Sequence, residues 1–243
     1  MAGHSHWANI QRTKSKMDAR RGKIFSKWAK LIMAAARSGG PDPAMNLKLR
    51  YAIERARADN MPKDSIERAI KKGAGELEGQ ALEEVVYEAY APGGVALLIE
   101  ALTDNRNRTA PNLRAVLTRR GGSLANSGSV AWQFARKAVF VLDAEGLDPD
   151  EVMEVALEHG AEDVSVEEAG VIDVEAEPAA FLDLKAALEE KGWTVLDGAL
   201  RYVPDNTVPL DEAGARKLQD LLDALEDDED VQAVHHNAEL PAA

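Results

Sequence analysis

The chain contains no cysteine. Disulfides, thiolate metal sites, iron–sulfur clusters and cysteine nucleophiles are therefore excluded together. Aromatic residues make up only 5% of its 243 positions, and no apolar run approaches the roughly 18 residues that a membrane helix needs. The opening MAGHSHWANI lacks the charged-then-apolar order of a secretion signal, so the expected location is the cytoplasm. A phosphate-binding loop is missing too, because no Gly-Lys-Ser/Thr follows Gly121-Gly122. Ser129 follows Gly128 but has Ala131 where a nucleophile elbow needs glycine. His4 and His6, or His235-His236, lack the i, i+4 spacing with glutamate of a hydrolytic zinc helix. The expectation is a protein with no catalytic residues, no metal, no cofactor, no small-molecule substrate and no membrane partner.

What is abundant is charge, and it is unevenly placed. The chain holds 29 Lys/Arg against 42 Asp/Glu, a net of −13. Residues 1–73 nevertheless carry 17 bases and 6 acids, or +11, whereas residues 74–243 carry 12 bases and 36 acids, or −24. Such asymmetry points to a polyanion held by the basic part, with the acidic remainder suppressing indiscriminate coating. Nucleic acid, DNA or ribosomal RNA and tRNA, is the expected partner.

The hydrophobic period divides the chain. Helical spacing of Ile24, Trp28, Leu31 and Ala35 predicts a helix from about Lys16 to Arg37. A second is expected to start with Asp42 as cap and Pro43 at its first turn, and to end near Asn60. A third runs from Pro62 to Gly73. Each has one apolar stripe, so they pack together as a small helical bundle. Gly73 to Gln80 reads as a glycine- and glutamate-rich linker, beyond which the period turns toward 2. Val85–Ala91 and Val95–Leu102 read as a hairpin across Pro92-Gly93-Gly94, followed by a helix over about 107–120 and a strand at Ser129–Phe134. From Val139 to Leu196 the order is βαββαβ, a ferredoxin-like unit. A strand at Leu200–Val203, a helix at Asp211–Leu225 and a strand at Val231–His235 complete the chain. The acidic run Glu226–Asp230 reads as a solvated loop. The expected architecture is α+β and multidomain, a helical bundle followed by two ferredoxin-like α+β domains with the second inserted into the first. The boundaries are 1–79 for the basic helical domain, 80–136 with 199–243 for the first α+β domain, and 137–198 for the insert.

Phosphate contacts call for Lys, Arg and small polar donors on one face. His4, Ser5, Trp7, Asn9, Arg12, Lys14 and Lys16 form a basic arm whose one aromatic can stack on a base or anchor the bundle. Arg20, Arg21, Lys23, Lys27 and Lys30 extend it along the first helix. A second cluster is Asn105, Arg106, Asn107, Arg108 and Thr109, with Arg114, Arg119 and Arg120 on the helix that follows. Its bases are all arginine, whose planar fork suits phosphate and guanine edges. Six to eight neutralised phosphates would give a log–log salt slope of roughly −5 to −7 on duplex DNA.

Several of these segments form motifs. Met1-Ala2-Gly3-His4-Ser5 with Trp7-Ala8-Asn9-Ile10, Asp18–Phe25 (DARRGKIF), Asn60-Met61-Pro62-Lys63, Thr103–Thr109 (TDNRNRT) and Gly128-Ser129-Val130 together resemble the YebC family, in family order over residues 1–137. The resemblance implies a helical domain plus two α+β domains and a DNA-binding regulator of transcription. Mitochondrial relatives are translational activators, and bacterial ones are linked to ribosomes stalled on proline-rich nascent chains. The alternative it implies is thus a factor that binds RNA on the ribosome. Two separated basic patches on a multidomain body favour a folded RNA, while the family label favours DNA.

Overall fold

The computed structural model describes residues 21–77, 81–167 and 170–241. They belong to two compact units, one of residues 19–132 with 207–243 and the other containing residues 133–206.

The first unit begins with three helices, α1 (Arg21–Gly39), α2 (Leu47–Ala58) and α3 (Lys63–Gly73). Their apolar stripes meet in a core of Ile32, Ala35, Ala36, Leu49, Ile53, Met61 and Ile66. Alanines on α1 and Gly73 on α3 let the helices approach closely. A methyl group added at Gly73 would lie 2.4 Å from the Met33 carbonyl oxygen, so this glycine is needed for packing as well as for ending the helix. Helix α2 starts four residues later than Asp42-Pro43 suggests. Asp42 instead closes a turn by accepting the Ala44 amide at 2.9 Å. The cap is the buried Asn46, whose side chain accepts the Leu49 amide and donates to the carbonyls of Ala35 and Gly40, both at 2.8 Å. Three satisfied bonds in the interior outweigh the Asp-Pro preference.

Strands β1 (Glu83–Tyr90) and β2 (Ala96–Thr103) form the expected hairpin, with Gly93 and Gly94 both at positive φ in its turn. Helix α4 (Arg106–Arg119) and the short β3 (Ser123–Leu124) follow. The sheet order is β3-β1-β2-β9, antiparallel throughout, where β9 (Val231–His236) comes from the end of the chain.

The second unit carries β4 (Phe134–Asp143), α5 (Pro149–Glu158), β5 (Ala161–Glu167), β6 (Val171–Ala176), α6 (Phe181–Glu190) and β7 (Val195–Pro204). Its βαββαβ order and sheet order β5-β6-β4-β7 have ferredoxin-like connectivity. Phe140 stacks on Phe181 of α6, with ring centroids 4.9 Å apart. Two expectations are corrected here. Leu200–Val203 is the continuation of β7, pairing Leu200 with Ala138 and Val203 with Ala135, so it belongs to this sheet. Of the strand expected at Ser129–Phe134 only Phe134 is in one, as the first residue of β4, and residues 129–133 form a loop that ends in one 3₁₀ turn.

Back in the first unit, β8 (Val208–Pro209), α7 (Glu212–Glu226), β9 (Val231–His236) and β10 (Ala238–Glu239) close the chain. With residues 200–203 committed elsewhere, the first sheet has the order ββαβ…αβ. It therefore lacks the second ferredoxin-like connectivity expected from the sequence. Its core packs Leu97, Ile99, Leu113, Leu117, Leu218, Leu221 and Leu225 between the sheet and helices α4 and α7.

Candidate nucleic-acid interface

The acidic turn between α7 and β9 is the structural centre of the first unit's charge. It sits beside the end of β2 and the start of α4, and the lysine face of α1 lies against it. Asp230 is 4% exposed. Its Oδ2 accepts from the Arg108 guanidinium and the Thr109 hydroxyl, both at 2.8 Å, and from Thr103 at 3.2 Å. Its Oδ1 lies 3.3 Å from the Lys30 ammonium. Burial pushes the Asp230 carboxyl up, but the bonds from Arg108 and Thr109 and the charge of Lys30 win and hold it below the ordinary carboxylate value. A buried carboxylate needs such partners, and the TDNRNRT segment supplies three of them.

Neighbouring residues of the turn engage α1. Lys23 pairs with Asp227 at 3.1 Å, Lys27 donates to the Glu226 carbonyl at 3.1 Å, and Lys30 donates to the Glu229 carbonyl at 2.7 Å. The run Glu226–Asp230 is therefore not the solvated loop its composition suggests. The positive face of α1 drew it in, because lysines at i, i+4 and i+7 align on one side of a helix. A cavity of about 580 Å³ remains beside it, lined by Lys30, Leu82, Asn112 and Arg108 with the carboxylates of Asp104, Asp228, Glu229 and Asp230.

The arginine cluster divides in two. Arg106 pairs with Glu83 at 3.2 Å, and Arg108 bridges Asp104 at 2.9 Å and Asp230 at 2.8 Å. Asn105 caps α4 by accepting the Arg108 amide at 3.2 Å, and Thr109 is wholly buried. Thr109 was expected on a binding surface; the hydrogen bond to Asp230 accounts for its burial. Asn107 is exposed on the first turn of the helix. Further along, Arg114, Arg119 and Arg120 are exposed. Arg120 donates to the Asp220 carbonyl at 3.0 Å. Among the described residues Arg114 and Arg119 have no ion-pair partner. His4, Ser5, Trp7, Asn9, Arg12, Lys14, Lys16 and Arg20 lie outside the described residues, as does the Arg21 side chain.

A second buried carboxylate escaped the sequence reading. Glu88 on β1 accepts the amides of Gly128 and Val130 at 2.6 Å and that of Ala131 at 2.9 Å. Burial pushes its carboxyl up, but the backbone bonds from Val130, Gly128, Ala131 and Ser129 bring it below the ordinary value. The Gly128-Ser129-Val130 motif is thus a nest of amides folded around an internal anion. No local signal marks it, since apart from Glu88 itself only Val85 and Ala89 of the eight residues of β1 are buried.

Among the described residues no three His, Asp or Glu side chains are gathered as a metal site would require. His235 instead makes a 2.7 Å contact with Glu100. No described helix is long and apolar enough to cross a membrane.

Comparison with known proteins gives matches along nearly the whole chain. The profile of the TACO1/YebC protein N-terminal domain matches residues 5–76, and that of the TACO1/YebC second and third domain matches residues 82–238. A "Probable transcriptional regulatory protein" from Treponema pallidum (strain Nichols) is 51% identical over 242 residues, covering 100% of this chain and 98% of its own. A protein of the same name from Solidesulfovibrio magneticus is 52% identical over 241 residues, covering 99% and 98%. The crystal structure of a conserved hypothetical protein from Aquifex aeolicus superposes with a TM-score of 0.84 at 48% identity, covering 98% of each chain.

Proposed function

The chain belongs to the TACO1/YebC family, and on that premise we propose that it is a regulator of gene expression that works by binding nucleic acid in the cytoplasm, without catalysis. The observation that carries this reading is the outward arginine pair of α4. Arg114 and Arg119 are exposed, have no ion-pair partner among the described residues, and stand in a stretch of the chain that is otherwise strongly acidic. Arginines that folding leaves exposed and unpaired are available to an incoming anion, and phosphate is the anion their planar fork suits. The name shared by the relatives, probable transcriptional regulatory protein, supports the same class.

For the polymer, one observation favours RNA over a DNA groove. A helix that reads a major groove lays a cationic, amide-bearing face along it. The lysine face of α1 is turned to the acidic turn, and the exposed side of α3 mixes Lys63, Arg68 and Lys71 with Asp64 and Glu67. Arginines on α4 suit contacts across a folded RNA such as ribosomal RNA or tRNA. The ribosome is the assembly in which such a factor would act.

Sedimentation of a lysate on a sucrose gradient, with and without nuclease, tests both levels. The expected result is co-migration with ribosomal particles that is abolished by nuclease and by Arg114→Glu/Arg119→Glu. Arg108 is unsuitable for this test, because its pair with the buried Asp230 makes it structural, and the charge of Arg106 is already met by Glu83. A slowly sedimenting protein that protects a promoter would assign DNA instead. Sedimentation indifferent to nuclease, with no protected DNA, would end the nucleic-acid reading.

A further inference from the structure

The lysine face of α1 meets a row of oxygens supplied by the chain itself. Lys23, Lys27 and Lys30 span about 10 Å of helix, and their ammonium groups reach Asp227 Oδ1, the Glu226 carbonyl, and the Glu229 carbonyl with Asp230 Oδ1. The acceptors are two carboxylates, at 3.1 and 3.3 Å, and two carbonyls, at 3.1 and 2.7 Å, a row of oxygens of the kind a phosphate strand also offers to lysines. We infer that this face is a second surface for a nucleic-acid phosphate backbone, and that the acidic turn 226–230 occupies it until a phosphate strand takes its place.

The seat divides into a fixed part and an exchangeable part. Asp230 is buried and held by Arg108, Thr109 and Thr103, none of which belongs to α1. It stays with the sheet whether or not α1 is engaged. The contacts of Lys23 and Lys27 are of the other kind. The Lys23–Asp227 pair is half exposed on both sides, and Lys27 donates to the Glu226 backbone carbonyl. Exposed pairs are weak and screened by salt, whereas a phosphate strand adds the entropy of released counterions. The carboxylate of Glu229 is exposed and has no ion-pair partner among the described residues, so the turn also carries charge that repels a competing strand.

This inference rests on the nucleic-acid reading and names a further part of its surface. The test uses the full chain in five forms. They are the wild type, a lysine variant (Lys23→Ala/Lys27→Ala), a turn variant (Asp227→Asn/Asp228→Asn/Glu229→Gln) that keeps Asp230, their combination, and a charge control. The control, Asp150→Asn/Glu154→Gln/Glu158→Gln on α5, changes net charge as much as the turn variant does. Binding to a labelled single-stranded oligonucleotide is followed by anisotropy across a salt series. The lysine variant should change wild-type affinity by less than about twofold, because the turn already holds those lysines. The turn variant should bind about tenfold tighter, with a log–log slope steeper by about 1.4, the value for two phosphates of a single strand. Combination with the lysine variant should remove that gain, a non-additivity that marks direct coupling. The control should show little gain and no steeper slope.

Equal weakening by the lysine variant in the wild-type and turn-variant backgrounds would overturn the inference, since those lysines would then already be free. A gain that survives in the combination would overturn it too, because general repulsion would explain it. Should no form bind the oligonucleotide, the nucleic-acid reading fails. Inorganic polyphosphate titrated against the same five forms then decides the exchange, which stands on the same coupled pattern and falls without it.

Discussion

Two cationic stretches look alike in the sequence and have different fates in the fold. On α1, Lys23, Lys27 and Lys30 are met by the acidic turn of the same chain. On α4, Arg114 and Arg119 point outward without ion-pair partners among the described residues. The first stretch has the greater cation density, yet the second is the one presenting unneutralised charge. Net charge along a sequence therefore counts what a chain has, whereas binding depends on what folding leaves unpaired.

The sharpest way to break the comparison is to remove the carboxylate at its centre. Asp230→Ala leaves Arg108 and Lys30 without their shared partner and removes the carboxylate that accepts from Thr103 and Thr109. The expected cost is about 3–5 kcal/mol, read as a lower urea midpoint. A loss below about 1 kcal/mol would mean that the seat contributes only surface electrostatics.

Acid should act on the same residue more gradually. The Asp230 and Glu88 carboxyls are both lowered in the folded chain, Asp230 by Arg108, Thr109 and Lys30 against the upward push of burial, and Glu88 by the amides of its loop against the same push. Each therefore binds a proton more readily when unfolded. Their contribution to stability is complete above the ordinary carboxylate range and is lost as pH falls through it toward the lowered folded values. Urea midpoints should fall below about pH 4, and Asp230→Asn should flatten that fall. An acid limb with the same slope in this variant would remove Asp230 from the account.

The smallest effect is expected at the rim. Lys23→Ala breaks a half-exposed pair with Asp227 and should change stability by less than about 0.5 kcal/mol in thermal unfolding. A larger loss would show that the α1 contact is structural rather than exchangeable.

The sequence was informative wherever local chemistry decided the structure. The apolar stripe of α1, the Pro92-Gly93-Gly94 turn and the βαββαβ order were readable because periodicity and turn residues act over short distances. Asn46 was not, since its cap depends on carbonyls at Ala35 and Gly40 that only tertiary packing brings near. Leu200–Val203 was assigned to the wrong sheet for a related reason: a short alternating run does not specify its partner, and pairing with β4 did. The run Asn105–Thr109 reads as a surface for phosphate. Two of its residues, Arg108 and Thr109, instead hold Asp230, 121 or more residues away in the chain. Glu88 and Asp230 share that origin, because a charge written as surface in one dimension is buried only once distant donors converge on it.

The central claim is tested most directly by the salt dependence of oligonucleotide affinity in the wild type, Arg114→Ala/Arg119→Ala and Lys23→Ala/Lys27→Ala. The account predicts a slope shallower by about 1.5 to 2 for the arginine variant and unchanged within about 0.5 for the lysine variant. A slope lost with the lysines and kept without the arginines would contradict it.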